Sequence, residues 1–338
     1  MDNPELFSKK INELCERSEA VLVKKQEELE HRKNVQEVER KFTNIEKEEE
    51  VYRESEEQQE IKKKETKLVN PLEELEMLVG LESVKEEVNS LRNYIKIQKL
   101  RKEQGLPDTE ISLHTIFTGN PGTGKTTVAR VLASIYCESG LLPTNKLVET
   151  DRSGLVAEYV GQTAVKTNAI IDKAIGGVLF IDEAYSLTEG GANDYGMEAV
   201  SALIKRMEDD RGRLAVILAG YPANMERFVD SNPGIKDRFT KTIHFPDYNE
   251  KELLEIFNRL VTKYRYSLTE EAKAKAKEAV SNALMAKDYR FGNARYVRNL
   301  FEHTIKNQAN RLMNETDLTD KEDIDKNLRL IKAADIHE

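Results

Sequence analysis

The chain has 338 residues, of which 33% are charged, and its formal net charge at pH 7 is −9. Its length suits roughly two domains and a tail, while the acidic balance argues against a nucleic-acid-binding protein, which would more often be basic. No stretch has the ~20 apolar residues of a membrane span, and the N-terminus lacks the regions of a signal peptide. Since Cys15 and Cys137 lie far apart, we expect a cytoplasmic protein with neither a disulfide framework nor a membrane partner.

Residues 1–70 predict an extended, charged helical arm. The segment contains no glycine and is dominated by Glu, Lys, Gln and Arg. Its apolar residues recur mostly at three- and four-residue steps, as on one helix face. The residues that follow this spacing are Phe7, Ile11, Leu14, Val21, Val35, Val38, Phe42 and Ile45. Because the heptads are interrupted, a coiled coil, a client-binding adaptor and a partly disordered tail all remain open. Asn70-Pro71 ends the arm, since a residue before proline avoids the helical conformation.

Residues 71–247 alternate helix-like and strand-like segments. A first helix is expected to end near Glu103, before the helix-breaking Gly105-Leu106-Pro107. Strands are then predicted near 113–118, 146–150, 177–182, 213–219 and 242–245, and helices near 125–138, 163–175, 194–209 and 222–230. This alternation predicts an α/β fold with a doubly wound parallel sheet.

The pattern changes after Tyr248. Pro246 marks the join, and residues 248–338 predict helices alone, forming a small all-α domain and a C-terminal tail. The helices are expected near 249–264, 269–287 and 293–314.

The segment Gly119–Thr126 matches the phosphate-binding pattern G-x-x-x-x-G-K-[ST] at every fixed position. An apolar, β-branched strand precedes it and an amphipathic helix follows, which is the context that the motif needs. Backbone N–H groups of such a loop surround phosphate oxygens, and the helix N-terminus adds a favourable dipole. Lys125 is expected to reach the β- and γ-phosphates of ATP, and the Thr126 hydroxyl to hold Mg²⁺. The residues predicted to contact the nucleotide here are Asn120, Pro121, Gly122, Thr123, Gly124, Lys125, Thr126 and Thr127.

Asp182 and Glu183 follow the apolar run Val178–Ile181. In an open parallel sheet, the carboxyl ends of the strands are where ligands bind. Asp182 is therefore expected to hold Mg²⁺ through water, and Glu183 to polarise the attacking water. An isolated acidic pair is more often a solvated strand end, but its position after a phosphate loop favours an ATP hydrolase.

Together these motifs resemble the AAA+ ATPases, and within them the group that contains stage V sporulation protein K and the red-type Rubisco activases. The resemblance runs from about Leu72 to Leu312 and leaves out the arm. The segments that carry it are Gly119–Thr126, Glu158–Thr163, Gly176–Tyr185, Leu218–Tyr221, Asn232–Tyr248 and Asn293–Arg295. It implies an AAA+ core at 71–247 and a helical lid within 248–338.

The resemblance also implies roles for single residues. Val79-Gly80 is similar to the short motif that contacts the adenine, and Arg238 is similar to the arginine finger that reaches the γ-phosphate in a neighbouring subunit. A surface arginine is the alternative for Arg238. Arg295 resembles the second sensor, an arginine of the lid that contacts the nucleotide, and Arg298 is the competing candidate.

The first sensor is a position where the sequence departs from the family pattern. Many AAA+ proteins place a polar residue, often Asn, at the end of the fourth strand, whereas this strand ends Ala219-Gly220-Tyr221. Tyr221 and Asn224 therefore both remain candidates for that role.

Tyr159-Val160-Gly161 resembles the pore loop of ring-forming remodelling ATPases. An aromatic ring can grip an extended peptide through apolar contact, and a glycine lets the loop move. The alternative is an ordinary loop whose tyrosine packs locally.

The resemblance thus implies a homo-oligomer, with a hexamer expected, that hydrolyses ATP with Mg²⁺ to remodel a protein client of unknown identity. A nucleic-acid motor and a nucleotide-dependent scaffold are the competing functions. No basic channel or added DNA-binding module is visible, so nucleic acid is not the expected partner.

Overall fold

The computed structural model describes residues 71–107, 112–159, 161–190, 194–288, 291–315 and 321–337. All of these belong to a compact unit that runs from Asn70 to Glu338. The predicted arm, residues 1–70, and Val160 of the predicted pore loop lie outside the described residues.

Among the described residues, a sheet of five parallel strands forms the centre of the fold, in the order β2-β3-β4-β1-β5. The strands are β1 Thr115–Gly119, β2 Leu147–Thr150, β3 Val178–Ile181, β4 Ala215–Gly220 and β5 Lys241–Phe245. The register pairs Thr115 with Ile217 on one side and with Lys241 on the other. The loop that follows β1 therefore starts between two neighbouring strand ends, where ligands of such sheets bind.

Helices cover both faces of this sheet and continue beyond it. They are α1 Pro71–Glu76, α2 Glu82–Glu103, α3 Lys125–Glu138, α4 Arg152–Leu155, α5 Thr163–Ala174, α6 Gly196–Asp209, α7 Pro222–Asp230, α8 Pro233–Arg238, α9 Glu250–Lys263, α10 Glu270–Met285, α11 Ala294–Glu315 and α12 Lys321–Arg329. Short 3₁₀ helices span Ala184–Thr188 and Ala333–Asp335. No helix within these described segments combines the length and the apolar character that crossing a bilayer requires.

Neighbouring residues of the strands point to opposite faces, because side chains alternate along a strand. Phe117 and Phe180 pack in one apolar cluster together with α1, α2 and α3. Ile116 and Leu179 pack in a second cluster together with α5, α6 and α7. Both faces are thus buried, which explains the continuous apolar runs of the strands and confirms the predicted doubly wound sheet.

The lid begins at α9, which starts with a capping box directly after the core. Asn249 Oδ1 accepts a hydrogen bond from the Glu252 backbone N–H at 3.0 Å, and the Glu252 carboxylate accepts one from the Asn249 N–H at 2.8 Å. These two bonds satisfy N–H groups that a helix start leaves unpaired. Phe257 of α9 then packs edge-on against Phe301 of α11, with 6.0 Å between ring centroids.

The lid also contains two short strands that the sequence pattern does not predict. β6 Ser267–Leu268 and β7 Leu330–Ile331 pair in parallel. The expectation of helices alone after Tyr248 misses this pair, because two residues carry no readable periodicity. The short helices α4 and α8 escape the sequence pattern for the same reason.

Candidate functional site

A cleft of about 540 Å³ opens where the core meets the lid. The loop after β1, the ends of β3 and β4, the segment before α2, and the lid helices α9 and α11 all contribute to its walls. Of the residues predicted to act on ATP, those that line it are Pro121, Gly122, Gly124, Lys125, Thr126, Thr127, Asp182, Glu183 and Arg295.

The carbonyl groups of the phosphate loop contact the Lys125 ammonium. Gly122 and Gly124 have φ of 70° and 96°, a left-handed conformation that glycine adopts at little cost. Lys125 Nζ donates to the carbonyls of Gly119 and Asn120, both at 2.9 Å. The Thr123 hydroxyl donates to the same Asn120 carbonyl at 2.8 Å. Asn120 and Thr123 thus stabilise the conformation of the loop through bonds within it, and neither residue lines the cleft.

Lys125 is the best-buried cation of the cleft. Burial lowers the pKa of its ammonium below the ordinary value, and the positive charge of Arg295 lowers it further. Asp182, Glu183 and Asp247 act in the opposite direction. Arg295 is therefore close enough to Lys125 for their charges to interact, as two residues contacting one polyanion would be.

Asp182 and Glu183 stand exposed at the end of β3 and line the cleft. The Glu183 N–H donates to Asp182 Oδ1 at 3.0 Å. Glu183 has a φ of 48°, a left-handed conformation that is costly for a residue with a side chain and is concentrated at functional sites. Glu183 is the residue directly before the 3₁₀ helix Ala184–Thr188.

The two candidates for the first sensor occupy different places relative to the cleft. Tyr221 lines the cleft, whereas the Asn224 amide donates to Glu189 Oε1 at 2.9 Å and is absent from the lining. Arg295 and Arg298, one turn apart on α11, both line the cleft.

The segment before α2 and the helix α9 contribute apolar side chains to the cleft, beside the cations Arg259 and Lys263 of α9. The apolar residues are Met77, Leu78, Val79, Leu81, Ile256 and Leu260. Such a surface can hold a flat base, as ligand pockets generally do. Gly80 does not line it, but a Cβ there would collide with the Glu252 carboxylate of α9.

Sequence reasoning missed the lid side of this apolar wall. Ile256 and Leu260 lie four residues apart on α9. That spacing is visible in the sequence, but it predicts ordinary core packing equally well. Tyr248, which also lines the cleft, has its pKa raised to about 12, mainly by burial.

The residues present fit a nucleotide with a divalent cation. The Thr126 hydroxyl and the Asp182 carboxylate share one cleft with Lys125 and Arg295. Hydroxyl and carboxylate oxygens are the ligands that Mg²⁺ prefers, and the two cations suit phosphate oxygens.

Arg238 lies away from this cleft, at the end of α8. It lines a second cavity of about 340 Å³ together with His114, Glu208 and Arg211. Its guanidinium pairs with Glu208 at 3.3 Å. Its Nε is buried without a hydrogen-bond partner in the described part of the chain.

Tyr159 follows α4 and is 68% exposed. Gly161 has a φ of 75°, and a Cβ placed there would meet nothing within 4 Å. The loop therefore presents an open aromatic ring, which does not agree with a locally packed tyrosine.

The chain matches known proteins along most of the described region. Residues 115–247 match the ATPase family associated with various cellular activities (AAA), and residues 249–338 match an AAA lid domain. Stage V sporulation protein K of Bacillus subtilis (strain 168) is 43% identical over 241 residues, which are 71% of this chain and 75% of that protein. The protein CfxQ homolog of Galdieria sulphuraria is 42% identical over 277 residues, 81% of this chain and 88% of that protein.

A longer relative matches in part. ESX-3 secretion system protein EccA3 of Mycobacterium tuberculosis (strain ATCC 25618 / H37Rv) is 40% identical over 276 residues, which are 78% of this chain but 44% of that protein. Among solved structures, the FIGL-1 AAA domain superposes with a TM-score of 0.52 at 19% identity, covering 77% of this chain and 79% of the other. That likeness concerns the fold alone, and it confirms the predicted fold class of a parallel-sheet core with a helical lid.

Proposed function

Since the chain belongs to the AAA family of ATPases, we propose that it assembles into a ring, a hexamer, and couples Mg²⁺-dependent ATP hydrolysis to the remodelling of a protein client. The observation that supports client binding is the exposed loop of Tyr159. Ring assembly is general in the family. The cytoplasm is the proposed location because the chain has two isolated cysteines, Cys15 and Cys137, which suit a reducing compartment better than a disulfide framework.

Hydrolysis is assigned to the cleft between core and lid. Lys125 would exchange its two carbonyl partners for phosphate oxygens, and Arg295 would contact the same phosphates from the lid. Glu183 would orient and polarise the attacking water, for which its exposed carboxylate at the strand end is suited. Thr126 and Asp182 would hold Mg²⁺, whose positive charge would offset the negative charge of the phosphates.

Arg238 is proposed to complete the site of a neighbouring subunit. It lies outside the cleft of its own chain, so an action on the nucleotide requires a second copy. Glu208 holds its guanidinium at 3.3 Å while Nε stays unpartnered in the described region. The guanidinium of arginine is planar and permanently charged. It can therefore release the Glu208 carboxylate and bind two phosphate oxygens instead.

Tyr159 is proposed to grip the client. Its exposed ring offers apolar contact that is indifferent to sequence, and the open surroundings of Gly161 leave the loop room to change conformation. The described residues do not identify the client, and the arm remains the proposed element that selects it.

A trapped enzyme tests the client proposal. Glu183→Gln protein should bind ATP, fail to hydrolyse it and retain client proteins from a cell lysate in the presence of ATP. The same trap with Tyr159→Ala should lose them. The matched control is the trap with Tyr94→Ala, because Tyr94 is 44% exposed on α2 and away from the loop.

The proposal fails if the Tyr159→Ala trap retains the same proteins as the trap alone, which would favour a scaffold. Stimulation of the ATPase by DNA, with none by retained protein, would instead favour a nucleic-acid motor.

A further inference from the structure

A carboxylate outside the predicted site joins the phosphate loop to the lid. Asp247 lies between β5 and α9, at the point where the core ends. Both of its carboxylate oxygens accept from the Asn120 side-chain amide at 3.0 Å. Its Oδ1 also accepts from the Asn293 amide at 2.8 Å, and its Oδ2 pairs with Lys287 Nζ at 2.6 Å. The partners therefore come from the phosphate loop on one side and from the lid on the other.

Asn293 extends the connection inside the lid. It is fully buried and has a φ of 47°. Its side-chain oxygen accepts from the Tyr248 N–H at 3.0 Å, and its amide also donates to the Pro121 carbonyl at 3.3 Å. The next residue, Ala294, donates its N–H to the Gly122 carbonyl at 3.2 Å. The start of α11 is thereby held directly against the phosphate loop.

These bonds act on two groups of the ATP site. The Asn120 carbonyl receives the Lys125 ammonium, so orienting Asn120 orients a partner of the phosphate-binding lysine. Arg295 follows Asn293 by two residues and lines the cleft from the first turn of α11. The bonds of Asn293 therefore fix the backbone position from which the Arg295 side chain extends.

The carboxylate is charged at neutral pH. Burial raises the pKa of Asp247, but hydrogen bonds from Lys287, Asn293 and Asn120 lower it more, so the pKa lies below its ordinary value. Its side chain is 20% exposed, and a partly buried ionised carboxylate in this position makes charge-assisted bonds, which are the stronger kind.

We propose that Asp247 is a positioning residue of the ATPase, whose carboxylate holds the lid against the phosphate loop and thereby sets Arg295 toward the nucleotide. The proposal rests on the assignment of the cleft as the ATP site and of Arg295 as a nucleotide contact. Asp247 itself does not line the cleft, so its effect passes through Asn120 and Asn293.

A double-mutant cycle tests this. ATP hydrolysis and binding of a fluorescent ATP analogue are measured for the full chain, Asp247→Ala, Arg295→Ala and the double variant. Asp247→Ala should lower kcat/KM by roughly ten- to a hundredfold, because displacements on the order of 1 Å have such effects. The double variant should lose clearly less than the product of the two single losses, because residues that act as one unit are not additive. Any loss beyond that of Arg295→Ala measures the part that passes through Asn120 to Lys125.

Two further variants keep the test decisive. Asp247→Asn retains one acceptor oxygen, which can serve Asn120 and Asn293, but it loses the second oxygen and the charge opposite Lys287, so it should fold and show a smaller loss. Asp325→Ala is the control, since Asp325 forms an exposed ion pair with Arg329 elsewhere on the lid, and it should hydrolyse ATP like the unchanged chain.

The inference is overturned if both Asp247 variants keep the kcat/KM of the unchanged chain, or if the losses of Asp247→Ala and Arg295→Ala multiply in the double variant. The second result would leave Asp247 a support of the fold. If the unchanged chain neither binds nor hydrolyses ATP, the proposed function falls as well, so the two failures are distinguishable.

Discussion

Lys125 and Glu183 line the same cleft but carry opposite charges and are assigned to different steps of the reaction. Lys125 is half-buried and bonds carbonyls of its own loop, whereas Glu183 is exposed and held in a left-handed conformation. Binding and hydrolysis should therefore be separable by substitution. The lysine supplies attraction to phosphate in the ground state, and the glutamate acts on the water during the reaction.

Glu183→Gln should lower kcat by on the order of 10²-fold or more, because it removes the carboxylate that polarises water. ATP binding should persist, since the amide has nearly the same size. Phosphate release and binding of a fluorescent ATP analogue measure the two effects. Glu189→Gln is the control, because Glu189 bonds Asn224 outside the cleft. Undiminished turnover by Glu183→Gln would contradict the assignment.

His114 should make the stability of the core depend on pH. Burial, followed by the charges of Arg211 and Arg238, lowers its pKa from 6.5 to about 4. Its Nδ1 accepts from the Val216 N–H at 3.1 Å and so must be unprotonated. Between pH 4 and 6.5 the unfolded chain binds more protons at this residue than the folded chain. The stabilisation is therefore complete above pH 6.5 and is lost as the pH falls toward 4.

Between pH 7.5 and pH 5, this residue should lower the free energy of unfolding by about 2 kcal/mol. Urea unfolding of the unchanged chain and of His114→Gln at both pH values measures the difference, which should shrink by that amount in the variant. His303→Gln, at an exposed position on α11, serves as the control. An equal pH effect in all three proteins would disprove the role of His114.

At the scale of elements, the phosphate loop and the start of α11 pack backbone against backbone. A Cβ at Gly122 would collide with the Gly292 carbonyl. The Gly122 carbonyl also accepts the Ala294 N–H at 3.2 Å. The loop thus needs glycine both for its left-handed conformation and for the approach of the lid.

Gly122→Ala should lower nucleotide affinity roughly tenfold or more, because the loop and the lid must separate to admit the methyl group. Gly140→Ala is the matched control. Gly140 has a φ of 72°, close to the 70° of Gly122, but a Cβ there meets nothing within 4 Å. It should cost about 1 kcal/mol of stability from the left-handed conformation alone and leave affinity unchanged. Equal affinities in the two variants would show that the loop tolerates separation from the lid.

At the scale of the whole molecule, the proposed site is incomplete in one chain. Arg238 lies in a cavity separate from the nucleotide cleft. Ring assembly would bring this arginine to a neighbour, and activity should then rise with protein concentration. The division into arm, core and lid stays a prediction, and the arm lies outside the described residues.

Mixing Arg238→Ala with Lys125→Ala protein should restore ATPase activity above the sum of the two separate proteins. A Lys125→Ala subunit still offers its Arg238 to the intact cleft of an Arg238→Ala neighbour, and such a finger contributes on the order of 10³-fold. Steady-state phosphate release at several mixing ratios measures the effect. Lys125→Ala mixed with Glu183→Gln is the control, because both defects lie within one cleft and cannot complement. Purely additive activity in the first mixture would rule out action between subunits.

The sequence by itself determined the sheet, the phosphate loop and the acidic pair. Their signals are short and local, since Gly119–Thr126 and Val178–Glu183 each combine a strand, a turn and chemistry within a few residues. Apolar runs bounded by glycine and proline likewise predicted most of the strands and long helices. The two-residue strands β6 and β7 and the short helices were beyond this reach, because periodicity needs length.

Only the tertiary structure decided which distant residues share the site. It placed Tyr221 in the cleft lining and Asn224 outside it, and it added Ile256 and Leu260 from the lid. Asp247 bonds Asn120 across 127 positions of the chain and Asn293 across 46. No local pattern marks such contacts, because they arise where the ends of parallel strands and the lid converge after the apolar faces have been buried.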